Sequence, residues 1–238
     1  MTFFVGVDLG QVSEPTAIVV VESDTLENVR TAEIYEKDWI TYQPVYRGRD
    51  GKETTKHPPI SYALRHLERV SPGTAYPAIV ERVQKLLRMV QKPTLAIDVT
   101  GVGTPVSDLF RNAGLSPYLI QVVAGEEVSQ EGSLYKVPKK ELVSTAQVLL
   151  QTSRLRIARG MSLSKLLVRE LSTFRMKVTL GQKDDPPTVW REGTADDLVL
   201  GLSIALWIAG RYSGIAFSYC VGRPELSWGG PWGTRGGF

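Results

Sequence analysis

The sequence has one cysteine, Cys220, so no disulfide can form within the chain. Its two histidines, His57 and His66, form no Cys/His cluster, and a zinc finger or ribbon is excluded. No basic region or cleavage site precedes the apolar start "MTFFVGV", so no secretory signal is read and a reducing, cytoplasmic setting is expected. Long hydrophobic runs are scarce. The most extended, "LVLGLSIALWIAG" at 198–210, is preceded by Asp196 and Asp197 and closed by Arg211. A membrane span needs about 20 apolar residues, so a buried core helix is expected here, with no membrane partner. Strong charge of one sign is missing too. The net charge of +3 neither demands nor excludes nucleic acid. No internal repeat is evident.

What is present is enough to fill a core: 42% of the 238 residues are hydrophobic, as expected for one large domain. "FFVGVDL" and "TAIVVVE" read as β-branched-rich strands joined by the hairpin loop "QVSEP". Residues 24–59 are polar and rich in Pro, Gly and charge, and read as an insertion partly ordered by Trp39, Tyr42 and Tyr46. "ISYALRHLERV" alternates like a third strand. "YPAIVERVQKLLRMVQ" has helical periodicity, with Pro77 in its first turn. "PTLAIDVT" is a strand, "GVGTPVSDLFRNAGL" a Gly-rich turn and helix capped by Gly114, and "PYLIQVVAG" another strand. Helices are expected from Pro138, across "MSLSKLLVRELSTFRMKV", and after Thr194 as N-cap, with "LRIA" as a short strand. Strands first in a hairpin series, then alternating with helices, predict an α/β fold with a mixed sheet flanked by helices on both faces. The Gly- and Trp-rich residues 213–238 read as a flexible tail beyond a domain at 1–212.

Acids stand at the ends of these elements. Asp8 and Asp98 each end an apolar strand, and Asp196 and Asp197 open the apolar last helix. Singly, each has an ordinary role open to it: Asp8 in a turn, Asp98 as a cap, one of the pair favourable to the helix dipole. Together they point to something else. Carboxylates brought within a few ångströms repel strongly unless cations neutralise them, and hard oxygen ligands suit Mg²⁺ or Mn²⁺. Two such ions about 4 Å apart support phosphodiester hydrolysis.

Four blocks, "VGVDLGQVSEPTAIVVVE", "LAIDVTGVGTPVSDLF", "VPKKELVSTAQVLLQTSRLRIA" and "WREGTADDLVLGLSIALW", resemble the nuclease domain of phage terminase large subunits and its stand-alone relatives. That domain belongs to the RNase H-like superfamily, with Holliday-junction resolvases and transposases. The resemblance runs from about residue 3 to 211 with the blocks in order, and the closing helix sharpens it. It implies an RNase H-like fold and a two-metal DNA endonuclease. Asp8 would bridge both ions, and Asp98 and the Asp196–Asp197 pair would complete the site. Asp197 shares a helix face with Gly201 and Ala205, which favours it as ligand if that face packs on the sheet, with Asp196 as second ligand or neighbour. No G-x-x-x-x-G-K-[ST] phosphate loop occurs, so this chain alone is not expected to translocate DNA. The partners implied are double-stranded DNA and a separate packaging ATPase, small terminase subunit or portal.

Charge is segregated. Residues 136–177 carry ten basic side chains against Glu141 and Glu170, a local +8 that suits a phosphate-facing surface. Lys139 and Lys140 sit in the first turn of a helix, where they oppose the dipole, and are the leading DNA-contact candidates. Arg191 in "VWREG" is a further candidate for positioning substrate. Three alternatives stand beside the endonuclease: a junction resolvase, a catalytically silent DNA- or partner-binding domain, and an actin-like or sugar-kinase ATP-binding protein. The last is motivated by "GVDLG" and weakened by the lack of a second lobe.

Overall fold

The computed structural model describes residues 2–11, 13–23, 60–174 and 196–212, and the backbone of three short strands at 34–37, 44–47 and 53–54. The tail at 213–238, Arg191, Thr194 and the side chains of the 24–59 insertion lie outside the described residues.

The strands are β1 (Thr2–Asp8), β2 (Thr16–Ser23), β3 (Ile34–Lys37), β4 (Pro44–Arg47), β5 (Glu53–Thr54), β6 (Tyr62–Val70), β7 (Pro93–Asp98), β8 (Tyr118–Val123), β9 (Ser129–Glu131), β10 (Leu134–Pro138) and β11 (Leu155–Arg156). The helices are α1 (Tyr76–Arg88), α2 (Thr104–Asn112), α3 (Lys139–Gln151), α4 (Ser164–Thr173) and α5 (Asp197–Tyr212). Eight strands form one mixed sheet in the order β11-β6-β2-β1-β7-β8-β10-β9, and β3-β4-β5 form a small second sheet within the insertion. β1 is antiparallel to β2 and parallel to β7, so it stands where the sheet changes direction.

Residue parity sorts the two faces. Val5, Val7, Ile18, Val20 and Ile97 pack beneath α1 and α2 through Val83, Val106 and Phe110. Phe4, Ala17, Val19 and Ala96 face the other way, into a core with α3, α4 and α5. The mixed α/β sheet with helices on both faces matches the sequence-based expectation. In α5 every residue from Gly201 to Gly210 is buried, because the helix lies between the sheet on one side and α3 and α4 on the other. That explains its all-round apolar character. At 16 residues it is a core helix, and no helix among the described residues is long and apolar enough to cross a membrane.

Two readings are corrected. The stretch between β8 and α3 holds an unforeseen hairpin, β9–β10, turning at Gly132 with φ 58. β9 is wholly exposed and polar, so it leaves no hydrophobic trace, while β10 buries only Tyr135, Val137 and Pro138. α3 begins at Lys139, not Pro138: the proline ends β10 and serves as the cap residue. Within the insertion, read from the sequence as partly ordered, lie the three short strands β3–β5. By contrast, Gly114 caps α2 as expected: it takes φ +76, and Leu115 N–H donates to the Phe110 carbonyl at 3.0 Å.

Candidate active site

The site lies at the C-terminal ends of β1 and β7. Register sets its first pair. Val7 aligns with Ile97, so Asp8 and Asp98, one residue on, end neighbouring parallel strands together. Both share parity with residues that face α5: Asp8 with Phe4, and Asp98 with Ala96.

Close packing sets the third position. A Cβ on Gly6 would stand 2.2 Å from the Gly201 carbonyl oxygen and 2.6 Å from the Ala205 nitrogen, so only glycine lets α5 lie this close to β1. Gly201 in turn sits over Ala17 and Val19. The face of α5 marked by Gly201 and Ala205 is therefore the face against the sheet, the condition on which the sequence favoured Asp197. One turn earlier on it is Asp197, 6% exposed, at the first residue of the helix. Leu200 N–H donates to the Asp196 carbonyl at 2.9 Å, so helical bonding starts at Asp196. Asp196 stays partly open to solvent.

These four carboxylates form one electrostatic unit. Burial, then Asp98, Asp196 and Asp197, push the Asp8 carboxyl well above its ordinary range, while Lys139 pulls it down. Burial also raises Asp98, opposed by hydrogen bonds from Thr100 and by Lys139. The Thr100 N–H donates to Asp98 Oδ1 at 2.7 Å, and the Thr100 hydroxyl accepts from Val122 N–H at 2.7 Å, tying the loop after β7 to β8. Asp197 is raised by burial and lowered by Arg69.

Two cations offset the cluster. Lys139 Nζ donates to Asp196 Oδ2 at 2.8 Å and lies 5.7 Å from the Phe174 ring centre. This accounts for a lysine in the first turn of α3: it answers an acid across the core. Lys139 is thus turned into the cluster, whereas its neighbour Lys140 is exposed. Arg69, near the end of β6, donates from Nε to Asp197 Oδ2 at 2.8 Å and from Nη2 to Asp197 Oδ1 at 2.7 Å, and Nη2 also reaches Glu170 Oε1.

Arg69 and Glu170 were not foreseen. The pairing register places Arg69: β2 pairs Ala17 with both Asp8 and Arg69, so Arg69 shares the α5 face two strands away from Asp8. As the side chains lie, no three acids or histidines among the described residues converge closely enough to hold one ion. The donor set nevertheless fits hard divalent cations. It offers carboxylate oxygens alone, mutually destabilised in their charged forms, with Lys139 and Arg69 to offset them among the described residues.

A mixed sheet with this strand order, acids ending its two central parallel strands and a helix delivering further acids to the same end, has the RNase H-like fold. Among solved structures, the large terminase nuclease from thermophilic phage G20c with bound magnesium superposes with a TM-score of 0.54 at 17% identity, covering 86% of this chain and 80% of that one. The same nuclease with bound cobalt gives 0.54 at 16%, with the same coverage. No protein-family model and no curated protein matches the chain. At this identity the likeness is one of fold.

Proposed function

We propose that the chain is a metal-dependent DNA endonuclease of the terminase large-subunit type. One observation carries the reading: four carboxylates from three elements lie within electrostatic reach of one another at one end of the sheet, at a cost in burial and repulsion that folding alone gives no reason to accept. Asp8 sits centrally, and Asp98, Asp197 and Asp196 surround it as the residues that would hold two Mg²⁺ or Mn²⁺ ions. Bound there, the ions would lower the pKa of an attacking water and stabilise the leaving 3′-oxygen.

The protein's own groups do the rest. Thr100 fixes the Asp98 carboxylate through its N–H. The backbone contact between Gly6 and Gly201 fixes the spacing of Asp197 from Asp8. Lys139 stands beside Asp196 where a phosphate approaching the acids would meet it. Exposed Lys140 on α3, Arg156 on β11, Arg159 in the loop that follows, and Lys165 and Arg169 on α4 supply a basic surface for the DNA backbone. Arg191 in the preceding loop is proposed to position substrate. Packaging of viral DNA in a host cytoplasm, together with a separate ATPase, small terminase subunit or portal, is the setting that the likeness in fold favours.

The test is plasmid nicking with Mg²⁺ or Mn²⁺. Asp8→Ala and Asp98→Ala should each lower the rate by more than about a hundredfold, beyond the usual cost of disturbing a ligand's neighbours. Equal cleavage by a purified double variant would overturn the assignment. Parallel reactions on linear duplex, a four-way junction and an RNA–DNA hybrid separate a packaging nuclease from a resolvase.

A further inference from the structure

Arg69 is shared by two acids from different helices. It holds Asp197 at the start of α5 with both Nε and Nη2, and Glu170 on α4 with Nη2 alone. Glu170 is 8% exposed, and its second oxygen, Oε2, is buried with no hydrogen-bond partner among the described residues. Burial pushes the Glu170 carboxyl up and Arg69 opposes this. A buried carboxylate with one oxygen used and one idle is a costly arrangement. The guanidinium already touches Oε1, and the idle oxygen leaves Glu170 able to accept a second hydrogen bond from it.

The cation-site reading supplies the occasion to use that oxygen, and the inference rests on it. An ion at the acid cluster needs the Asp197 oxygens that Arg69 now occupies. We propose that Arg69 is an internal counter-ion for the site: it holds Asp197 in the metal-free protein and passes to Glu170 when a divalent cation takes Asp197. Glu170 is then a positioning residue that acts through Arg69. Without it, a displaced arginine would be left partly buried and unpaired, and the ion would have to compete against a fixed salt bridge. The arrangement keeps the empty site from collapsing under its own repulsion, and it keeps the arginine from staying where the ion must go.

The experiment measures Mn²⁺ affinity directly, from the electron paramagnetic resonance signal of free Mn²⁺, without reference to cleavage. The proteins are wild type, Arg69→Gln, Glu170→Gln and the double variant. Arg69→Gln removes the competitor and should bind Mn²⁺ at least fivefold more tightly. Glu170→Gln removes the alternative seat and should bind at least fivefold more weakly. In the Arg69→Gln background that second effect should largely vanish, because no arginine remains to be seated. A Glu170→Gln effect of equal size in both backgrounds reads as simple loss of a nearby negative charge and overturns the hand-off. Should the glutamine variant of Arg69 fail to fold, the wild-type arginine Nε–H resonances, assigned with Arg69→Lys, answer the same question. The Arg69 resonance should shift on saturation with diamagnetic Mg²⁺, and an unmoved resonance overturns the proposal. Wild type that binds no Mn²⁺ at all overturns the cation-site reading with it, whereas binding with additive variants sinks the hand-off alone.

Discussion

Replacing Gly6 with alanine tests how the site is spaced. The new methyl would lie 2.2 Å from the Gly201 carbonyl oxygen and 2.6 Å from the Ala205 nitrogen. Carbon needs about 3.5 Å from such neighbours, so α5 and β1 must part by more than about 1 Å. The obstructing atoms are backbone, and no rotamer change relieves them. Overpacking of this kind costs about 1–3 kcal/mol, and the rigid obstruction places Gly6→Ala at the upper end. For a domain of this size that lowers Tm by about 5–10 °C. The same movement carries Asp197 away from Asp8, and a misplacement of about 1 Å lowers the rate about a hundredfold. Thermal unfolding and plasmid nicking read the two effects separately. Gly125→Ala is the control: a methyl there meets nothing within 4 Å, and stability should hold or rise by about 0.5 kcal/mol. Gly6→Ala with wild-type Tm and wild-type cleavage would refute the close-approach argument and the spacing role built on it.

Asp8→Asn should raise the Tm of the metal-free protein at pH 7.5 while abolishing cleavage. The folded Asp8 pKa lies above its unfolded value, so the stability it contributes is full below the unfolded pKa and is lost as pH rises through the folded one. The variant's advantage should therefore shrink on acidification, and a gap that widens in acid would contradict the burial and repulsion assigned to Asp8. Replacing Lys140, Lys165 and Arg169 together with glutamine should weaken duplex binding and flatten its salt dependence by about two to three counterions. An unchanged slope in a titration from low to high salt would return that surface to simple solvation. Leu202→Ala, in the fully buried middle of α5, should cost about 2–5 kcal/mol in urea unfolding.

Much of the fold was legible because burial writes a strong pattern. β1, β2 and β7 are short apolar runs, and each lies in the sheet interior where both faces are covered. α1 shows its buried stripe at Ile79, Val83 and Leu86 with the periodicity that named it. The acids at strand ends stood out because an aspartate beside such runs needs a reason. The β9–β10 hairpin left little trace, since an edge strand facing solvent on both sides carries no alternation. Arg69 and Glu170 were invisible for another cause. Their meeting depends on how β6 pairs with β2 across the long 24–59 insertion, and on where α4 lands. Lys139 stood out in the sequence as a charge opposing the dipole of a first helical turn, yet the acid it pairs with, Asp196, lies 57 residues on.

α5 gives the site an unusual thermodynamic position. Its first turn presents Asp197, and its next turns are the deepest part of the hydrophobic core. Local fraying cannot release such a helix without exposing Leu198, Leu202 and Leu206, so its amides should exchange only through global unfolding. Occupancy at Asp197 and the folding equilibrium are then linked. A cation bound there at a hundredfold excess over its Kd would add about 2.7 kcal/mol to the stability of the whole chain. Divalent ion concentration would set the lifetime of the folded protein as well as the readiness of its chemistry, and chelation would be felt first as a fall in the melting temperature.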